Sequence, residues 1–167
     1  MEWEFFSEND RNNIDITNFG KTIKKIRGER GLIKLSNKFG NNTKREYNVT
    51  LREIKDSDHF CIGLSDIYFQ ERLSYDHDGK TISDDNNDIK QIKSEVKKGD
   101  TLVITDKVLT RLEDEKKIFV VTMCINTIEV ARLMYEGEEH KQFFLWLLDN
   151  IEVDLEVVGM ILFIIHL

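Results

Sequence analysis

Along most of the chain, apolar residues recur at every second position in short runs, and the runs are broken by Asn, Asp and Gly. A strand sends successive side chains to opposite faces, so this period predicts half-buried β-strands rather than helices. The clearest case is "NIEVDLEVV", where Ile151, Val153, Leu155 and Val157 alternate with carboxylates. "REYNVTLREI" repeats the pattern through Tyr47, Val49 and Leu51, and less regularly Ile54. "NIDITN", "KTIKKI" and "GLIKLSN" follow one another across a Phe-Gly turn and a Gly-Glu-Arg-Gly turn, which predicts a meander of three short strands. "HFCIGLSD" is apolar on both parities and reads as a more buried strand. "DTLVITD", "KKIFVVTMCINT" and "IEVARLMY" add three more, and the terminal "MILFIIHL" reads as a buried strand too short to span a bilayer.

Two stretches break the period. "NNDIKQIKSEVKK" from Asn86 puts Ile89, Ile92 and Val96 at helical spacing, and "EEHKQFFLWLLDN" from Glu138 reads as a short amphipathic helix. The whole therefore predicts an all-β, antiparallel two-sheet sandwich with one or two short helices. With 167 residues, 40% of them hydrophobic, the chain can bury a real core, and a single domain over 1–167 suffices.

Charge narrows the partners. A net charge of -7 disfavours nucleic acid and anionic membranes, because both need clustered Lys and Arg facing the phosphates. The basic runs "KTIKKIRGER" and "EVKKGD" are short and interrupted, and read as solvated strand and turn faces. The N-terminus "MEWEFFSEND" has no secretory pattern, so a cytoplasmic protein is expected. Cys61 and Cys124 lie far apart inside apolar runs, as buried reduced thiols do.

Catalytic and metal chemistry find little support. His59, His77, His140 and His166 show no paired metal spacing, neither cysteine has a cysteine partner nearby, and "RGERG" lacks the spacing and ending of a phosphate loop. No cofactor is expected. "LSYDHDGKTISDD" approaches a calcium loop, with Ser74, Asp76, Asp78, Gly79 and Asp85 at the ligand and glycine positions. Serine is a weak first ligand and aspartate too short at the last, so the stretch reads as a tight Asp-Gly turn between edge strands, with a degenerate calcium site as the remote alternative.

The order of pieces resembles the SPRY (B30.2-like) domain over roughly residues 10–160. "ITNFGKTIKKI" is similar to the family's opening strand pair, "FCIGLSD" to its central strand, "SYDHDGK" to the hairpin that follows, and "VKKGDTLVITD" to its Gly-Asp turn and strand. The chain departs from the pattern where Thr127 follows Asn126, where "FFLWLLDN" lacks a proline, and in having no tryptophan-rich stretch before the hairpin. The resemblance implies a non-catalytic module that holds a segment of a partner protein on its rim loops, here "DIYFQERLSYDHD" and "KFGNNTKRE". Tyr68, Phe69, Arg72, Tyr75, Lys44 and Arg45 are the partner-binding residues expected there, since aromatic and guanidinium groups dominate interface energetics. The alternative is a β-sandwich that binds a carbohydrate or another small ligand. That reading needs an exposed aromatic, and Trp146 sits in an apolar run that reads as core.

Overall fold

The computed structural model describes residues 1–36, 43–66, 72–83, 89–92 and 95–160. After β1 (Trp3–Phe5) and α1 (Glu8–Asn13) come β2 (Ile14–Thr17), a 3-10 turn at Asn18–Gly20, β3 (Thr22–Lys25), β4 (Gly31–Leu35), β5 (Lys44–Glu53) and β6 (Phe60–Ser65). They are followed by β7 (Arg72–Asp76), β8 (Thr81–Ser83), β9 (Ile89–Gln91), β10 (Thr101–Thr110), β11 (Lys117–Ile125), β12 (Ile128–Glu136), β13 (Gln142–Leu147) and β14 (Glu152–Met160). Two seven-stranded sheets result. Sheet I runs β1, β4, β13, β6, β7, β8, β9, and sheet II runs β12, β11, β10, β5, β14, β3, β2. Neighbouring strands pair antiparallel throughout, as the sequence period predicts.

One core fills the space between the sheets. Sheet II contributes Tyr47, Val49, Leu51, Leu102, Ile104, Val121, Met123, Val153 and Leu155, each on the inward parity of its strand. Sheet I answers with Ile33, Leu35, Phe60, Ile62, Leu64, Leu73, Tyr75, Phe143 and Leu145. The Tyr47 and Phe143 rings stack across the gap with centroids 5.1 Å apart. Burying each such side chain stabilises the fold by about 1.5–3 kcal/mol before entropy is counted. The outward parity of sheet II is polar, with Glu46, Asn48 and Thr50 on β5 and Glu152, Asp154 and Glu156 on β14.

Three local expectations are corrected. β2 and β3 pair, but β4 is no third strand of a meander, because the other edge of β3 is taken by β14 and β4 lies in sheet I between β1 and β13. The stretch from Asn86 is no helix within the described residues: Ile89–Gln91 pairs with β8 as an edge strand, while Ile92 and Val96 anchor the following chain in the core. The stretch from Glu138 becomes β13, a central strand apolar on both faces, and such a short apolar run cannot be told from a buried helix by periodicity. The one α-helix among the described residues, α1, is capped by Ser7, whose hydroxyl oxygen accepts from the Asp10 N–H at 3.2 Å. Among the described residues no helix is long and apolar enough to cross a membrane.

Candidate functional site

β6 is buried at all six positions, and its two parities serve different clusters. Phe60, Ile62 and Leu64 face the main core, whereas Cys61 joins Leu32 and Phe144 in a small apolar cluster on the outward side of sheet I. Gly63 shares that outward parity. A Cβ there would collide with the Leu73 carbonyl and come within 2.7 Å of Ser74 Cα, so β6 and β7 can approach only because residue 63 has no side chain.

Beside this cluster, toward the strand ends, a pocket of about 150 Å³ opens to solvent. Strand register assembles it: Trp146 lies opposite Cys61, Cys61 opposite Asp76, and Ser74 opposite Ser83. His59, Asp78 and Leu148 close its end. Trp146 is 36% exposed, which corrects its reading as a core residue, because its parity on β13 points away from the sandwich. Ser74 is only 2% exposed yet lines the pocket, and its hydroxyl has no hydrogen-bond partner among the described residues.

The β7–β8 connection shapes the acidic wall. Asp76 pairs with Thr81, residues 77–80 turn the chain, and the Asp76 carboxylate accepts the Asp78 N–H at 3.0 Å. The hairpin expected here is present, with two differences: Lys80 rather than Gly79 takes the left-handed conformation, and β8 is not an edge because β9 pairs along its far side. Of the calcium-loop positions, Ser74 sits within β7 and Asp85 lies outside the described residues, among which no group of three His, Cys, Asp or Glu side chains is placed to hold a metal.

His59 bridges two carboxylates. Its Nδ1 lies 2.9 Å from Asp149 and its Nε2 3.0 Å from Asp78, and Asp149 also accepts the His59 backbone N–H at 2.6 Å. The Asp149 hydrogen bond and the Asp78 charge hold the imidazole above its usual pKa, and the His59 N–H groups hold Asp149 below the carboxylate range. Both ring nitrogens are engaged by carboxylates, so His59 is not a free base beside Cys61.

At the same end but on the inward side, His77 is buried, stacked on Phe60 at 4.5 Å. The Tyr75 hydroxyl lies 2.7 Å from its Nδ1 and the Lys55 carbonyl 3.2 Å from its Nε2. Burial, aided by the Lys80 ammonium, pushes this histidine below its usual pKa. The Lys80 ammonium also lies 3.0 Å from Nε2, so both nitrogens of this buried ring have polar partners.

No family model matches the sequence, and no curated protein matches it. Solved structures do. A human SPRY domain is 14% identical, with a TM-score of 0.64 over 93% of this chain and 96% of that one. The SPRY domain of human HERC1 is 11% identical, with a TM-score of 0.56 over 91% and 96%. The fold is that of the SPRY domain. The carbohydrate-binding module CBM66 from Bacillus subtilis shares the sandwich more loosely, at 10% identity and a TM-score of 0.52 over 92% of this chain and 91% of that one.

The SPRY fold accounts for the pieces that carried the resemblance. The 3-10 turn at Asn18–Gly20 links β2 to β3, and Gly99, at φ +90°, donates its N–H to the Leu51 carbonyl at 2.7 Å just before β10. It distributes the expected rim residues unevenly. Tyr68 and Phe69 lie outside the described residues. Arg72 opens β7 opposite Ser65, and half-buried Lys44 opens β5 opposite Met160. Tyr75 and Arg45 are corrections. Tyr75 is 0% exposed in the core, and Arg45 is buried because it shares the inward parity of Tyr47 and Val49, so neither side chain reaches a partner at the surface. Arg45 belongs to a buried polar cluster at the opposite end of the sandwich, where Asp106 pairs with it in register and takes the His140 ring nitrogen at 2.7 Å. Burial lifts the Tyr47 hydroxyl there to about 12.

The sequence placed Ser74, Asp76 and Asp78 only in a calcium-like loop and Trp146 only in the core, because strand register, not spacing, brings them together as one pocket. The available signal was β13 itself: in "QFFLWL" the alternate positions Phe144 and Trp146 cannot share a face with Phe143, Leu145 and Leu147.

Proposed function

We propose that this chain is a non-catalytic protein-interaction module that receives a segment of a partner on the outward face of sheet I, at the Trp146 pocket. The observation that carries this reading is an exposed tryptophan, with exposed Leu148 near it, on a concave polar pocket beside the buried apolar cluster of Leu32, Cys61 and Phe144. Interface energy concentrates on such aromatic anchors. Likeness in fold to SPRY domains supports it, and the double engagement of His59 argues against a Cys61 nucleophile activated by that ring. Tyr68, Phe69 and Arg72 are a second proposed contact.

Crosslinking of a captured partner to the wild-type chain, read by mass spectrometry, tests the choice of face. Crosslinks around Trp146 and binding lost in Trp146→Ala, with Tyr68→Ala and Arg72→Ala unaffected, are expected. The reverse pattern returns the site to the loops. A sugar ligand is the second reading, favoured by the exposed Trp146 ring, which offers a stacking platform next to hydrogen-bonding Asp and Ser side chains.

A further inference from the structure

We infer that the Trp146 pocket takes the cationic end of a lysine or arginine side chain from the partner segment. The inference rests on the interaction reading above and names what that site recognises. Asp76 and Asp78 line the pocket, no Lys or Arg does among the described residues, and the one basic lining residue among them, His59, is already shared between Asp78 and Asp149. The local charge balance is therefore negative, so an acidic or phosphorylated segment would be repelled while a cation is held. Four further features fit a single extended basic side chain. The indole of Trp146 offers a face for a cation. One Asp76 oxygen is committed to the Asp78 N–H, and the carboxylate makes no other hydrogen bond among the described residues. The buried Ser74 hydroxyl, equally without a partner among them, adds an acceptor facing the pocket. A cavity of about 150 Å³ admits one side chain rather than a helix.

The test is a selection from a random peptide library on the full chain, followed by nitrogen-15 NMR of the two indole N–H signals. The chain has only two tryptophans, and Trp3 donates its indole N–H to the Gly20 carbonyl at 2.8 Å, so it serves as an internal reference. The expected result is a set of peptides sharing one Lys or Arg. Its replacement by alanine should weaken binding about tenfold or more, as should Asp76→Asn, and the peptide should move the Trp146 signal alone. Asp76→Asn must melt near wild type, and Ser74→Ala provides a second variant if it does not. Peptides that move Trp146 but carry no basic residue overturn this occupant and leave the interaction reading standing. Peptides that bind undiminished to Trp146→Ala overturn the pocket. No enrichment, together with a neutral oligosaccharide that moves Trp146, overturns both and favours sugar binding.

Discussion

The β6–β7 pair presents two unlike surfaces to its two sides. Inward, Phe60, Tyr75 and His77 form a buried cluster whose polar atoms are taken within the fold, the Tyr75 hydroxyl lying 2.7 Å from His77 Nδ1 and the Lys80 ammonium 3.0 Å from its Nε2. Outward and at the strand ends, Cys61, Ser74, Asp76, Asp78 and His59 border an open pocket with spare acceptors and a histidine held between two carboxylates. Tyr75 and Asp76 are consecutive, yet one is core and the other lines the pocket. The difference shows that strand parity decides exposure here more than residue type does: an aromatic on the inward parity is core, and one on the outward parity, Trp146, is open to solvent.

The largest test of that contrast is paired truncation. Tyr75→Ala empties a fully buried ring site and should cost about 3–5 kcal/mol, whereas Trp146→Ala should stay within about 1 kcal/mol of wild type in denaturant unfolding. Tyr75→Phe refines the comparison, since it keeps the ring and removes only the hydroxyl that meets His77 Nδ1, at a cost of about 1–3 kcal/mol. A Trp146→Ala loss as large as that of Tyr75→Ala would make the outward face a second core and end its claim as a docking surface.

Gly63 tests how tightly the two sides are joined. Adding a methyl in Gly63→Ala drives it into the Leu73 carbonyl and the Ser74 backbone, so β7 must shift away from β6. Overpacking of this kind costs about 1–3 kcal/mol, and here it should also displace Ser74 and Asp76 from the pocket. Lower stability together with a shifted Trp146 indole signal is expected. A stable variant with an unshifted signal would show that β7 can yield without disturbing the pocket.

Much of this architecture was legible in the sequence, and the limits have physical causes. Alternation identified β5 and β14 and the inward residues Tyr47, Val49, Leu51, Val153 and Leu155, because half-buried strands of an antiparallel sheet must alternate. It failed for β13, which lies between β4 and β6 and is apolar on both parities, and for α1, whose "ENDRNN" has no apolar stripe at all. The site was less legible than the fold. Arg45 and Tyr75 looked like interface residues by type, but type carries no parity. Trp146, Asp76 and Ser74 come together only through pairings between strands up to 85 positions apart, such as Trp146 with Cys61. Nothing local in the sequence announces such a pairing.

The smallest effect expected is also the one that separates the two sides by sign. His77 binds its proton less readily when folded, so below the ordinary histidine value of about 6.5 the unfolded chain takes up more protons and the contribution of His77 is lost as pH falls. His59 is the opposite case: its folded pKa is raised by Asp149 and Asp78, so its contribution is fully present below about 6.5 and is lost as pH rises through the folded value. Melting temperatures of the wild type, His77→Gln and His59→Gln between pH 5 and 8 isolate each term by difference. Acidification should narrow the gap between wild type and His77→Gln and widen the gap between wild type and His59→Gln. Molar salt, with a Debye length of about 3 Å, should flatten the His59 difference because that ring is exposed, and leave the buried His77 difference largely intact. Slopes of the same sign for both variants would mean that the two histidines share one environment, and the division between a closed inward side and an open outward side would not hold.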